Sequence, residues 1–166
     1  MAKDPSLEVL STEPFNAQSP LARLAESAVT PLELFFVRTH GAVPRLDEES
    51  YRLEIGGMVQ RPLRLRRADL EANFPVTEVT ATLQCAGNRR TELIAVRPVP
   101  GETPWGASAL STATWRGTPL AAVIEAVGAL DGAAHVAFTG LDQIEKEGNT
   151  FGFGGHNATA VFKKVE

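Results

Sequence analysis

The chain has 166 residues, of which 43% are hydrophobic and 22% are charged, and its formal net charge at pH 7 is -4. This length and composition indicate one soluble globular domain, and the acidic balance argues against the basic surface with which proteins bind nucleic acid or anionic membranes. One cysteine excludes an internal disulfide, and the chain has neither a signal-peptide pattern nor an apolar run long enough to span a bilayer, so we expect a cytoplasmic location.

The N-terminal region carries two prolines among small polar residues, so we expect an extended arm over residues 1–18 ahead of a folded region over 19–166. Ser19 and Pro20 supply a helix cap and a first-turn proline, and they predict a short helix over residues 21–28. The helix should end before Pro31.

Strand patterns follow. Residues 34–37 form a compact apolar run, and residues 51–55 alternate polar with apolar side chains, so both predict strands. A short helix is predicted over residues 66–72 because Phe74-Pro75 prevents its continuation. Residues 78–83 place apolar and polar side chains on opposite faces most clearly, and they predict a strand that leads directly to Cys85.

The remaining third is predicted to be a loop, a helix and a strand. Prolines and glycines over residues 97–106 indicate an irregular loop. Thr118 as cap, Pro119 in the first turn and Gly128 at the end predict a helix between them. Residues 135–139 then predict a further strand.

Cys85 is the only cysteine, and it lies where the predicted strand breaks into a turn with two arginines, Arg89 and Arg90. A thiol acts as a nucleophile or a metal ligand only as thiolate, which neighbouring cations favour. A cysteine that serves packing alone would normally lie inside an apolar run. From composition alone, both a chemical and a packing role remain open.

The segment Leu83–Arg90, which reads LQCAGNRR, resembles the molybdenum-ligand motif of the eukaryotic-type sulfite oxidase family, which is also similar to the molybdenum domain of assimilatory nitrate reductases. Other segments match in the family's order, and the resemblance runs from about Pro31 to Asp142. These segments are residues 36–40, 105–106, 110–117 and 140–142.

The resemblance implies an α+β, mixed-sheet molybdopterin-binding fold and a molybdenum-molybdopterin cofactor. It implies that Cys85 ligates the metal and that Arg38 helps to hold an oxyanion substrate, for which a guanidinium is suited. It also implies a set of cofactor contacts: Phe36, Val37, Arg38, Thr39, His40, Cys85, Asn88, Arg89, Arg90 and Asp142. Only one of the two adjacent arginines need face the site.

Simpler interpretations stand beside these roles. Arg38 could pair with Glu33 or Asp47 at the surface, and His40 could satisfy a loop carbonyl. Asp142 follows Gly-Leu, where an aspartate commonly forms a turn. One of the arginines after Cys85 could be a solvated charge beside Glu92.

The chain departs from the family after residue 142. Full-length relatives continue with further cofactor contacts, a catalytic tyrosine, another substrate arginine and an immunoglobulin-like dimerisation domain, and they form homodimers. Here the only tyrosine is Tyr51, and residues 151–166 do not follow the family's pattern. The fold therefore looks truncated, and unpaired strand edges would lower its stability or require a partner.

The leading hypothesis is an oxidoreductase that transfers an oxygen atom, most simply in sulfite oxidation, with a haem protein or dioxygen as electron acceptor. Nitrate-reductase-type reduction uses closely similar motifs. A non-catalytic domain that binds cofactor or a partner is the alternative from a different class. A thiol hydrolase using Cys85 with His40 or His135 has suitable residue types but explains none of the other motifs.

Overall fold

The computed structural model describes residues 2–141, 143–146 and 149–152. Within them, helices and strands are mixed along the chain, which confirms the mixed α and β class. The helices are α1 (Leu21–Leu24), α2 (Arg67–Asn73), α3 (Arg90–Val96) and α4 (Leu120–Val127). The strands are β1 (Glu8–Thr12), β2 (Phe15–Gln18), β3 (Leu53–Ile55), β4 (Leu63–Leu65), β5 (Thr77–Gln84), β6 (Leu110–Gly117), β7 (Gln143–Lys146) and β8 (Asn149–Gly152).

The strands pair in sequence order as two-stranded sheets: β1 with β2, β3 with β4, β5 with β6 and β7 with β8. The chain divides into two compact units. The first contains residues 2–44 and 80–114 with the described residues from 139 onward, and the second contains residues 45–79 and 115–138. All the residues discussed below as a candidate site lie in the first unit.

Residues 8–18, predicted as part of an extended arm, form an antiparallel hairpin in which Glu8 pairs with Gln18 and Thr12 with Phe15. The hairpin then bonds to the rest of the first unit. The amide of Ala17 donates to the carbonyl of Val37 at 3.0 Å, and the reverse bond is 2.8 Å. These two reciprocal hydrogen bonds make the hairpin an integral part of the first unit.

The prediction of a strand over residues 34–37 is wrong. The amide of Leu34 donates to the carbonyl of Pro31 at 2.9 Å, and that of Phe35 donates to Leu32 at 3.3 Å, so this segment turns back on itself. Leu34 is only 1% exposed and packs with Leu7 and Ala17. The apolar run reflects burial from all sides, which a short apolar sequence cannot distinguish from an extended strand.

Helix α1 is shorter than the predicted range of residues 21–28, and it begins after Pro20. The predicted cap at Ser19 is wrong. The Ser19 side chain is fully buried and donates a hydrogen bond to the carbonyl of Leu34. This residue therefore ties the entrance of the helix to the buried turn.

The strand predicted before Cys85 is confirmed as β5, which ends at Gln84. It runs antiparallel to β6, because hydroxyl contacts join Thr80 to Thr114 at 2.9 Å and Thr82 to Thr112 at 2.7 Å. Every side chain of β5 except Leu83 is exposed.

Aromatic packing forms the larger core of the first unit. Phe35 and Phe36 stack with ring centroids 5.7 Å apart, and Phe36 meets Trp105 edge to face at 6.3 Å. Trp105 and Ala109 are fully buried in the same cluster. The loop before β6 therefore supplies half of the core.

In the second unit, the strand predicted over residues 51–55 begins at Leu53, and the helix predicted before Phe74 is confirmed as α2. The predicted helix before Gly128 is also confirmed. It buries Val123 and Val127 and ends at Gly128, whose φ of 64° suits a glycine.

Two predictions for residues 118–139 are wrong. The structure places Pro119 at the helix N-cap, and the Thr118 side chain forms no cap there. Residues 135–139 are not a strand, because their backbone pairs with no other described residue. No helix among the described residues is both long and apolar enough to cross a membrane.

The buried turn offers a direct test of the core. We expect Leu34→Ala to lower the free energy of unfolding by about 2–5 kcal/mol, because it removes a buried side chain and leaves a cavity. Leu32, two residues away, is 59% exposed, so Leu32→Ala should change it by less than about 0.5 kcal/mol. Chemical denaturation measures both, and equal losses would contradict this packing.

Candidate functional site

Cys85 lies at the first residue of a tight turn that follows β5. Its amide donates to the carbonyl of Ala109 at 2.9 Å, and its carbonyl accepts from the amide of Asn88 at 2.9 Å. The amide of Gly87 points at the sulfur, 3.4 Å away. These bonds fix the backbone on both sides of the thiol, so the end of the strand determines where the sulfur lies.

The thiol lies at the edge of the aromatic core. Cys85 is partly buried and packs against the cluster that contains Phe36 and Trp105. One side of the residue therefore contacts hydrocarbon, whereas part of its surface stays accessible.

Arg38 brings a cation to this thiol. Burial lowers the pKa of the Arg38 guanidinium, whereas Cys85, through charge and hydrogen bonding, and Glu102, through charge, act in the opposite direction. An arginine remains protonated under these conditions, so the positive charge persists beside the sulfur. The structure thus brings together Arg38 and Cys85, 47 positions apart in the numbering.

Three groups hold the Arg38 side chain. Its Nη1 donates to the carbonyl of Thr39 at 2.6 Å and to Oδ1 of Asn16 at 3.3 Å. Its Nη2 lies 3.1 Å from Nδ1 of His40, which must accept because a guanidinium has only donors. His40 therefore helps to hold the Arg38 guanidinium through Nη2.

Arg90 faces inward. Its Nη1 donates to the carbonyl of Thr103 at 2.8 Å and lies 3.3 Å from the Glu102 carboxylate, and both side chains of this ion pair are mostly buried. The guanidinium also covers Gly87, where an added Cβ would lie 2.6 Å from Nη2. The absence of a side chain at position 87 is what lets Arg90 lie there.

Arg89 faces outward. Its backbone is left-handed, with φ at 65°, and its guanidinium forms two bonds of 2.7 and 2.8 Å with Glu92. The Glu92 hydrogen bonds raise the pKa of Arg89, and the Arg89 hydrogen bonds lower the pKa of Glu92. Both side chains are exposed, so this pair is the solvated one that the sequence left open.

The other predicted contacts are distributed around this centre. Asn88 accepts a bond of 2.9 Å from the amide of Ala109 and so fastens the turn to the residue that precedes β6. Phe36 and Val37 are buried in the core, and the Thr39 hydroxyl donates to the carbonyl of Phe15 at 2.8 Å. Their contact with a pterin stays a prediction, and Asp142 lies outside the described residues.

Residues without a recognisable sequence signal complete the arrangement. Asn16 contacts Arg38, and Gln18 accepts a bond of 2.9 Å from the amide of Gly106 beside Trp105. Glu102 neutralises part of the charge at Arg90. A polar side chain in an arm or a loop carries no local pattern, so only the folded chain reveals these contacts.

The donors at this centre fit a molybdenum-molybdopterin group. A thiolate sulfur is a soft ligand, and two inward guanidinium groups suit the phosphate of a pterin or an oxyanion. The fully buried indole Nε1 of Trp105 also has no hydrogen-bond partner among the described residues. A buried donor of this kind costs free energy unless an acceptor satisfies it.

The family model of the oxidoreductase molybdopterin binding domain matches residues 40–161. The chain belongs to this family. The expected resemblance to sulfite oxidases and nitrate reductases is confirmed, and the family implies a molybdenum-molybdopterin cofactor.

Among its relatives is the sulfite oxidase of Gallus gallus, which is 50% identical over 143 residues, or 84% of this chain and 31% of the relative. Nitrate reductase [NADH] 2 of Phaseolus vulgaris is 43% identical over 141 residues, or 82% of this chain and 16% of the relative. The chain thus spans a third or less of these two molybdopterin-family proteins.

A solved structure also matches. The crystal structure of the sulfane dehydrogenase SoxCD from Paracoccus pantotrophus superimposes with a TM-score of 0.66 at 25% identity. The match covers 86% of this chain and 35% of that chain. The fold of this molybdopterin-family chain is therefore shared with a known dehydrogenase.

The two ion pairs of the turn should differ in their effect on stability. We expect Glu102→Gln to lower the free energy of unfolding by about 1–2 kcal/mol, because it leaves the mostly buried Arg90 without its counter-charge. Glu92→Gln is the matched control, since it removes the exposed partner of Arg89 and should have a smaller effect. Urea denaturation of both variants compares them, and a larger loss in the control would contradict the inward placement of Arg90.

Proposed function

We propose that this chain forms the thiolate and arginine face of a sulfite oxidase-type molybdenum site, and that the protein transfers an oxygen atom to or from a small oxyanion. Oxidation of sulfite is the reaction that we favour. The observation that carries the proposal is the partly buried Cys85, whose thiol interacts with the Arg38 guanidinium, with Arg90 also turned inward.

Cys85 would ligate the metal. Its position at the end of β5 is fixed by backbone bonds to Ala109 and Asn88, so the sulfur needs little reorganisation to bind. The amide of Gly87 beside the sulfur would stabilise charge that stays on the thiolate. The molybdenum-molybdopterin group, once bound, would supply the two-electron chemistry of oxygen transfer.

Arg38 and Arg90 would bind and orient the oxyanion. Each guanidinium is held by carbonyl groups of the chain and is partly withdrawn from water, which strengthens its attraction for an anion. Glu102 balances part of the positive charge, so the site need not hold two uncompensated cations before substrate binds. His40 would keep the Arg38 fork in place.

The acceptor of the electrons would be a haem protein or dioxygen. Since the chain spans about a third of the sulfite oxidase that it matches, the complete reaction would draw on groups that this segment does not supply. Nitrate reduction is the second candidate, because a nitrate reductase is among the relatives at 43% identity. Assays of the molybdenum-loaded protein with sulfite and with nitrate distinguish the two directions.

The thiol gives the sharpest test of this function. We expect Cys85→Ser to reduce both molybdenum content and sulfite turnover, because it removes the ligand itself. The reduction should exceed the factor of about 10–100 that results when a metal ligand loses an outer hydrogen-bond partner. Ala86→Ser is the matched control, since it adds a hydroxyl one residue later and leaves the thiol intact. Elemental analysis with a steady-state assay measures both, and metal retained at wild-type stoichiometry in Cys85→Ser would refute the ligand role.

The two adjacent arginines give a second test. Arg90→Lys should raise the KM for sulfite on the order of tenfold, because lysine keeps the charge but lacks the planar fork. Arg89→Lys alters an exposed residue bound to Glu92 and should leave KM nearly unchanged. Steady-state kinetics compares them, and the opposite order would show that Arg89 is the residue that reaches the substrate.

A further inference from the structure

The N-terminal hairpin contacts the candidate site at two places. Asn16, in β2, is 1% exposed, and its Oδ1 accepts from Nη1 of Arg38 at 3.3 Å and from the amide of Thr39 at 2.9 Å. Gln18, two residues later, binds the amide of Gly106 in the loop that carries Trp105. The hairpin thus contacts both the segment that carries Arg38 and the loop that carries Trp105.

The Asn16 side chain is itself held rigidly. Its Nδ2 donates to Oγ of Ser11 at 3.0 Å and to the carbonyl of Pro14 at 3.0 Å, so both ends of the amide are occupied. A buried amide whose four bonds are shared between the hairpin and the Arg38 segment can adopt few alternative rotamers. Its oxygen is therefore a fixed acceptor.

Arg38 needs such an acceptor. Its Nη1 is shared between Asn16 and the carbonyl of Thr39, and the amide of Thr39 binds the same Asn16 oxygen. Asn16 therefore controls the guanidinium directly and also through the backbone of the next residue. Loss of the amide would release the side chain and the carbonyl that holds it together.

We propose that Asn16 is a positioning residue that fixes the Arg38 guanidinium beside the Cys85 thiol, so that the N-terminal hairpin sets the affinity of the site for its oxyanion. The hairpin and Arg38 both precede residues 40–161, which the family model matches. The inference rests on the proposed function for its effect on oxyanion affinity, but the positioning itself is independent of turnover.

Two measurements on the full chain test it. In the molybdenum-loaded protein, Asn16→Ala should raise the KM for sulfite on the order of tenfold, the effect of losing a hydrogen bond to a charged group, with kcat within about twofold. In nitrogen-15 NMR, rotation of the Arg38 guanidinium should be slow in the wild type. In Asn16→Ala it should approach that of the exposed Arg97.

Ser11→Ala is the matched control, because it removes a bond to Nδ2 of Asn16 and leaves the oxygen that faces Arg38. It should lower the melting temperature without changing KM or the Arg38 rotation. Asn16→Asp keeps an oxygen acceptor but lacks the Nδ2 donors. Rotation of the Arg38 guanidinium should therefore stay slow in Asn16→Asp. This variant tests the positioning role if Asn16→Ala does not fold.

The positioning role is overturned if Arg38 stays slow in Asn16→Ala, if it becomes fast in Asn16→Asp, or if Ser11→Ala raises KM as much as Asn16→Ala does. Failure of the proposed function gives a different result. In that case the wild-type protein does not turn over sulfite, while the Arg38 rotation still depends on Asn16.

Discussion

Arg38 is partly withdrawn from water where it lies beside Cys85, and a charge in that position is stable only if its hydrogen bonds are satisfied. The surrounding structure meets this requirement with the Thr39 carbonyl, the His40 ring and the Asn16 amide. These groups come from two segments that are distant in sequence, namely the N-terminal hairpin with Asn16 and the segment with Thr39 and His40. The position of one cation thus constrains how the first unit of this molybdopterin-family chain is assembled.

Local pattern was sufficient for much of this arrangement. The alternation before Cys85 predicted β5, and glycine and proline at its ends predicted α4. It failed where long-range contacts decide the conformation. The run from Leu34 to Val37 is apolar because it is buried. Its first two amides bond to carbonyls of a turn, the third to the Ser111 hydroxyl and the last to the carbonyl of Ala17.

The candidate site was also predictable only in part, because some of its contacts are long-range. The LQCAGNRR segment identified the thiol and its two arginines, but the left-handed backbone at Arg89, which sends one side chain outward and the other inward, has no signal in that sequence. Asn16 and Glu102 act across the fold and could not be found from spacing. The role of Asp142, the boundary at residue 18, the dimer and the cytoplasmic location stay predictions.

The proposed molybdenum ligand is Cys85. Because it is the only cysteine, selenocysteine can be placed there alone, and the selenium absorption edge of the metal-loaded protein then reports its neighbours directly. Ligation by Cys85 predicts a molybdenum atom bonded to that selenium. A selenium bound only to carbon, in protein that holds its full complement of molybdenum, would contradict it.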